Sequence, residues 1–265
     1  MNGRVLIVAG SDSGGGAGIQ ADIKAVTAMN GFAATAITAL TAQNTMGVHG
    51  VVPVDPAFIA QQIEVVLTDI GADALKTGML HSAEVIGVVV DALKKHAADV
   101  PLVVDPVMVA KGGHRLLLGE AEAALRERLL PRAALLTPNL PEAEVLVGFP
   151  VRVEADMRRA ADRLLALGAK AVLMKGGHLD GDRLVDLLVQ GGKVERFEDA
   201  RIVSRSTHGT GCTLASAIAA GLAQKMTLVD AVAQARTYVR KAIETAPGFG
   251  RGHGPLNHAV TVRTD

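Results

Sequence analysis

Six residues of types suited to phosphate chemistry each fall just after an apolar run or in the turn that follows it: Asp12, Asp105, Asn139, Glu142, Lys175 and Cys212. Asp105 and Glu142 offer hard carboxylate oxygens that could hold Mg²⁺, directly or through its waters. Lys175 could neutralise phosphate charge. The stretch Ser206-Thr207-His208-Gly209-Thr210-Gly211-Cys212-Thr213 runs small residues straight into an Ala-rich helical segment. Its Gly209, Thr210 and Gly211 amides can therefore converge on an anion at a helix N-terminus and hold the charge that develops on a group in transfer. Cys212 would sit in the first helical turn, where a stabilised thiolate could accept a proton from an attacking hydroxyl. Gln43 sets an amide donor beside an acceptor, matching the amino-plus-ring-nitrogen edge of a heterocycle.

Each of these residues also has an ordinary structural reading. Asp105 precedes Pro106 as turn residues do, Glu142 is a first-turn acid that a helix dipole favours, and a free cysteine usually packs as a small hydrophobe. Lys175 could be a solvated lysine at a strand end. Together they form a phosphoryl-transfer set.

The elements that must position them follow from the apolar pattern. The chain has 265 residues, 49% apolar but only 2% aromatic and without Trp, so its core is aliphatic. Such a core suits a parallel sheet covered on both faces by helices. Strands are expected at 4–9, 74–79, 102–104, 134–137, 171–175, 183–190 and 193–202. Helices are expected at 19–29, 55–70, 82–96, 120–130, 141–147, 153–167, in the Ala-rich segment after Cys212, and at 228–246. Segments 33–41 and 48–54 read as a hairpin or lid-like flap. Lys111-Gly112-Gly113-His114 reads as a glycine-containing loop, and the Gly-rich tail 250–258 as irregular. Strands alternating with helices over the whole length predict one α/β domain, 1–265. In such sheets the turns after the strands gather at one edge, where ligands bind.

Composition also excludes. Lys plus Arg and Asp plus Glu number 27 each, so no net field draws in nucleic acid or anionic membrane, and few aromatics are present for base stacking. One cysteine makes no internal disulfide and no Cys-rich metal site. The first apolar run is too short for a signal sequence or a membrane span, which predicts a cytoplasmic protein. Gly14-Gly15-Gly16 opens a strand–turn–helix unit, but Ile19 stands where a dinucleotide fingerprint needs glycine, and no GxxxxGK[ST] loop occurs.

Eight blocks in order resemble the hydroxymethylpyrimidine/phosphomethylpyrimidine kinases of thiamine biosynthesis. They begin with the stretch from Gly10-Ser11-Asp12 to Asp22, then Thr38 to Thr45, Lys76-Thr77-Gly78-Met79-Leu80 and Asp105-Pro106-Val107-Met108. Thr137-Pro138-Asn139-Leu140-Pro141-Glu142-Ala143, Met174-Lys175-Gly176-Gly177-His178, Thr207 to Thr213 and Gly252 to His258 complete them. The resemblance implies a three-layer ribokinase-like fold, a central mostly parallel sheet flanked by helices with a small β flap over the substrate. It implies ATP-dependent, Mg²⁺-assisted phosphorylation of 4-amino-5-hydroxymethyl-2-methylpyrimidine, then of its monophosphate to the diphosphate. Gln43 aligns with the pyrimidine-reading glutamine, Cys212 with the catalytic-base position, and Asn139 and Glu142 with an NxxE-like metal and phosphate motif. Asp22, Met79, Gly10 and Val107 are expected in the substrate pocket. Thr207, Thr210, Asn139 and Lys175 are expected on the nucleotide phosphates, and Gly209, Gly211, Lys175 and Cys212 in catalysis. A homodimer follows by analogy. The rival readings are a pyridoxine or pyridoxal kinase, a non-enzymatic pyrimidine sensor and, last, a flavin- or dinucleotide-dependent oxidoreductase.

Overall fold

The computed structural model describes residues 1–108 and 119–262; the expected loop at 111–114 lies outside them. Strand β1 (Arg4–Ala9) is apolar and buried after its exposed first residue, Arg4, because both of its faces are covered. Val5, Ile7 and Ala9 enter one core while Leu6 and Val8 enter the other. After β1 come α1 (Gly18–Ala28), β2 (Phe32–Ile37), β3 (Ala39–Asn44), β4 (Gly47–Pro53) and α2 (Pro56–Asp69). Helix α2 starts where Pro56 presets the first turn and the Asp55 side chain accepts from the Ala57 and Phe58 amides. Next are β5 (Ala74–Thr77), α3 (Ala83–His96), β6 (Leu102–Val104) and α4 (Gly119–Ala124). Helix α4 passes into a π-helical turn at Leu125–Leu129 and a 3₁₀ turn at Leu130–Arg132, so the helix expected at 120–130 is not α-helical throughout. Then follow β7 (Leu135–Leu136), α5 (Leu140–Val147), α6 (Glu154–Ala166), β8 (Ala171–Lys175), β9 (Arg183–Gln190), β10 (Lys193–Ala200), α7 (Thr210–Ala223) and α8 (Leu228–Glu244).

Eight strands form one sheet in the order β10-β9-β8-β7-β6-β5-β1-β2. The stretch from β8 to β2 is parallel, and β9 and β10 close the other edge antiparallel. The core on one face includes Ile59 and Ile63 of α2, Ile86 and Val89 of α3, and Leu164 of α6. On the other face Ala25 and Val26 of α1, Ala217 and Ile218 of α7, and Val232 of α8 pack together. Small residues let α7 and α8 approach closely: a methyl group at Gly221 would stand 2.9 Å from the Ala231 methyl.

The flap differs from expectation. Segment 33–41 is not one arm of a hairpin: β2 joins the main sheet beside β1, and the hairpin is β3–β4. The turn between the two roles is Thr38. This fully buried residue gives its hydroxyl to the Met79 carbonyl at 2.7 Å and its amide to the Ala9 carbonyl at 3.0 Å. Residues on both sides of Thr38 are small and apolar, so hydrophobic period alone does not mark the corner.

Candidate active site

The strand order lines up the functional side chains. Lys175 ends β8, Asn139 follows β7, Asp105 follows β6, Met79 follows β5 and Asp12 follows β1. These five strands are consecutive in the sheet, spaced about 5 Å apart. One cavity of about 800 Å³ runs along their carboxyl ends, and these residues with Glu142, Gly10, Val107 and Gln43 line it. Thr207, Gly209, Thr210, Gly211 and Cys212 line it as well.

The 207–212 loop is held by close backbone approach. Gly209 has φ +78°, and a Cβ there would lie 1.9 Å from the Gly16 carbonyl oxygen, so only glycine fits. No side chain caps α7, and the first amides of a helix have no partner within it. The Thr210 amide reaches the Thr207 carbonyl at 3.4 Å, and the amides that follow it are donors for an anion in the cavity. Gly211 faces Lys175 Nζ and Asp105, which a Cβ would meet at 3.2 and 3.5 Å.

At one end Lys175 Nζ lies 3.1 Å from Asp105 Oδ1 and 3.9 Å from Glu142 Oε2. Thr137 Oγ1 also contacts Asp105 Oδ1, at 3.2 Å. Glu142 and Asn139 form a capping box for α5: the Asn139 amide donates to Glu142 Oε2 at 2.8 Å, and the Glu142 amide donates to Asn139 Oδ1 at 2.9 Å. The helix-start reading of Glu142 therefore holds alongside its place at the cavity. Burial raises the Glu142 carboxyl above the glutamate range; Lys175 opposes this and Asp105 adds to it. Among the described residues no three His, Cys, Asp or Glu side chains gather as a metal cluster.

At the other end Met79 and Val107 pack with Val48 and Val51 of the flap. Gly10 makes room: a Cβ there would fall 2.2 Å from the Met79 methyl. Asp12 accepts from the Gly14, Gly16 and Ala17 amides at 2.8, 3.1 and 2.8 Å and lies 2.7 Å from His208 Nε2. Burial alone would raise the Asp12 carboxyl, but His208 and these amides hold it below the aspartate range.

One expectation is corrected. Asp22 does not line the cavity; it is fully buried beneath it, with both carboxylate oxygens 2.8 Å from Lys76 Nζ and Oδ1 2.7 Å from Ser216 Oγ. Lys76 is the member of this pair that reaches the cavity wall. Burial works against the Lys76 charge, and Asp22, Cys212 and Asp105 outweigh it, so the ammonium is held above its ordinary value. At Cys212 the surroundings work against the thiolate. Burial pushes its thiol up to about 12; Lys76 opposes, the Asp22 and Asp105 carboxylates add, and a bond from the Gly18 amide is too small to reverse it. The helix N-terminus is outweighed by desolvation and two acids.

A phosphomethylpyrimidine kinase family model matches residues 12–257. The chain belongs to the phosphomethylpyrimidine kinase family. It is 46% identical over 261 residues to the hydroxymethylpyrimidine/phosphomethylpyrimidine kinase of Bacillus subtilis, covering 98% of this chain and 96% of that one. It is 54% identical over 260 residues to the thiamine biosynthesis bifunctional protein of Geobacter sulfurreducens, covering 98% of this chain but 53% of that longer protein. Among solved structures, a Bacillus subtilis pyridoxal kinase in an ADP complex superposes with TM-score 0.90 at 36% identity, over 98% of each chain. A Clostridium difficile phosphomethylpyrimidine kinase superposes with TM-score 0.81 at 44% identity, over 91% of this chain and 99% of that one. The ribokinase-like α/β fold and the kinase assignment in thiamine biosynthesis thus agree with expectation at the level of the family. Among the described residues no helix is long and apolar enough to cross a membrane.

The sequence pattern assigns no role to Lys76 or His208 and marks Asp12 only as a strand-end acid. An interior lysine in the run Ala74-Leu75-Lys76-Thr77 was the available signal: a charge inside a buried strand requires a buried partner.

Proposed function

We propose that the chain is one kinase domain that uses ATP to phosphorylate 4-amino-5-hydroxymethyl-2-methylpyrimidine and then its monophosphate. The observation that carries this reading is that one cavity joins a helix-N-terminal amide loop and Cys212 to two different ends. One end has Lys175, Asp105 and Glu142; the other has Gln43, Met79 and Val107. The first end suits phosphates and the second a small heterocycle. Identity supports the pyrimidine over pyridoxal: 46% to the Bacillus subtilis pyrimidine kinase against 36% to that organism's pyridoxal kinase.

The donor set fits Mg²⁺. Asp105 and Glu142 share one ammonium, burial with Asp105 adding to it raises Glu142, and Mg²⁺ commonly takes one or two carboxylates with phosphate oxygens and waters. Held there, the ion would neutralise charge on the phosphates. Lys175 and the Asn139 turn steady the donor's phosphates, and the Gly209 and Gly211 amides take the charge that develops in transfer. Cys212 receives the hydroxyl proton. Because its thiol is pushed up to about 12 in the free protein, this role requires that it first ionise.

The test is a coupled assay of ADP formation with hydroxymethylpyrimidine, ATP and Mg²⁺, with mono- and diphosphate resolved. We expect both products in succession, and Cys212→Ala to lower kcat for both steps by roughly 10²-fold with little change in KM. The wild-type rate should rise with pH through the neutral and alkaline range, and the Cys212→Ala rate should not. No ADP formation, or a large preference for pyridoxine, would overturn the reading; wild-type turnover in Cys212→Ala would remove the cysteine from it.

A further inference from the structure

This inference rests on the reading of Gln43 as the residue that meets an aminopyrimidine edge. We propose that His208, held by Asp12, fixes which way round the Gln43 carboxamide lies and thereby makes the pocket select a ring nitrogen beside an amino group over the reversed pattern, a ring N–H beside a carbonyl.

The hydrogens on the neighbouring groups decide the orientation. In the structure Gln43 Nε2 faces His208 Nε2 at 3.3 Å, and Gln43 Oε1 faces Thr41 Oγ1 at 3.4 Å. His208 Nε2 is also 2.7 Å from Asp12 Oδ2. A bare nitrogen lone pair would be repelled there, so Nε2 carries a hydrogen and gives it to Asp12. It has no lone pair left to accept from the Gln43 amide nitrogen, and of the two ends of the carboxamide only the oxygen, which can share that hydrogen, is not repelled there. Thr41 Oγ1 has one hydrogen, and it goes to the Ser11 carbonyl at 2.9 Å. Toward Gln43 that hydroxyl is an acceptor, and only the amide nitrogen is complementary to it. Both neighbours therefore demand the same half-turn of the side chain, oxygen to His208 and nitrogen to Thr41, and carboxamide orientation is assigned by such partners.

The partners are fixed. Asp12 is pinned by three backbone amides. His208 is buried, its amide bonds the Gly254 carbonyl, and a Cβ at Gly16 would meet its ring at 2.6 Å. The Gln43 backbone exchanges two hydrogen bonds with Ser13 Oγ, at 2.8 and 2.9 Å. A substrate meeting the free edge of this carboxamide gives its amino hydrogen to the oxygen on the His208 side and accepts at its ring nitrogen from the Thr41 side. The hydroxymethyl group, on the carbon next to the amino-bearing one, then lies toward His208 and the 209–212 loop. His208 is a positioning residue, acting through Gln43.

The experiment compares kcat/KM for hydroxymethylpyrimidine and for its 4-oxo analogue in the wild type, His208→Phe, His208→Gln and Thr41→Val. We expect the wild type to prefer the amino compound by about 10³-fold or more, the scale on which a hydrogen-bonding site rejects a mismatched pattern. His208→Phe, which frees the carboxamide to turn, should narrow that preference by about tenfold or more. His208→Gln, which keeps an N–H for Asp12, should restore most of it, and Thr41→Val should narrow it less than His208→Phe. A loss of the same factor on both substrates in His208→Phe, with the ratio unchanged, would overturn the proposal. If that variant does not fold, an unchanged ratio in Thr41→Val overturns it instead. A wild type that phosphorylates neither pyrimidine would sink the underlying reading of the site, a result separable from an unchanged ratio.

Discussion

Lys76 and Lys175 stand on β5 and β8 of the same parallel sheet, and both meet carboxylates, yet their surroundings differ in kind. Lys76 is sealed: its side chain and that of Asp22 are 0% exposed, one cation to one anion, with Ser216 completing the acid's bonds. Lys175 is open at the cavity wall, its side chain 14% exposed, with two acids sharing it. The sealed pair balances its own charge and has no partner to exchange, with Lys76 at the cavity wall and Asp22 behind it. The open cluster has two acids to one ammonium, so a cation that binds there displaces the proton of the raised Glu142. The same residue types thus make scaffold or binding site according to stoichiometry and access.

The largest effect is expected at the sealed pair. Lys76→Met leaves a buried uncompensated Asp22 and should destabilise the protein by about 3–5 kcal/mol in denaturant unfolding. Adding Asp22→Leu should recover most of that loss, because removing both charges removes the penalty of the orphan. A Lys76→Met protein as stable as the wild type would show that the pair is not buried as described.

Lys175→Met should do the reverse, with a smaller stability change and a fall in kcat/KM for ATP of roughly 10²-fold, the scale for a lost electrostatic contact to a transferring group. Equal destabilisation by the two methionine substitutions would break the contrast between scaffold and site.

The smallest effect is on pH dependence. Glu142 has its folded pKa raised, to about 7, by burial against Lys175's opposition. An acid that binds its proton more tightly in the folded state than in the unfolded state contributes stability below the ordinary glutamate range, and that contribution is lost as pH rises toward 7. Without Mg²⁺ or nucleotide, stability should therefore fall across that window, and Glu142→Gln, which keeps an acceptor for the Asn139 amide, should flatten the slope. Identical pH profiles for the two proteins would remove Glu142 from the titration.

Much of this site was legible along the chain. Asp105, Asn139 and Lys175 each follow an apolar run, and α/β topology gathers such positions at one edge. The Asn139–Glu142 spacing announces a helix start, and the start is there as a capping box. The 207–213 loop was readable because glycine followed by an Ala-rich run is a local signal. The flap boundary was less legible, since residues 33–41 are similar in character on both sides of Thr38 while their hydrogen-bond partners differ.

By itself, then, the sequence determined the aliphatic core, the alternating strands and helices and the positions that the strand ends would carry, since these depend on composition and on neighbours a few residues away. Only the tertiary structure decided the pairings. Asp22 meets Lys76 across 54 residues and Asp12 meets His208 across 196, and no local pattern encodes such partners. It also decided the state of Cys212. A helix N-terminus could favour a thiolate and left its ionisation open, but desolvation and two nearby carboxylates push the thiol up, because charge inside a protein answers to everything packed around it rather than to the element that carries it.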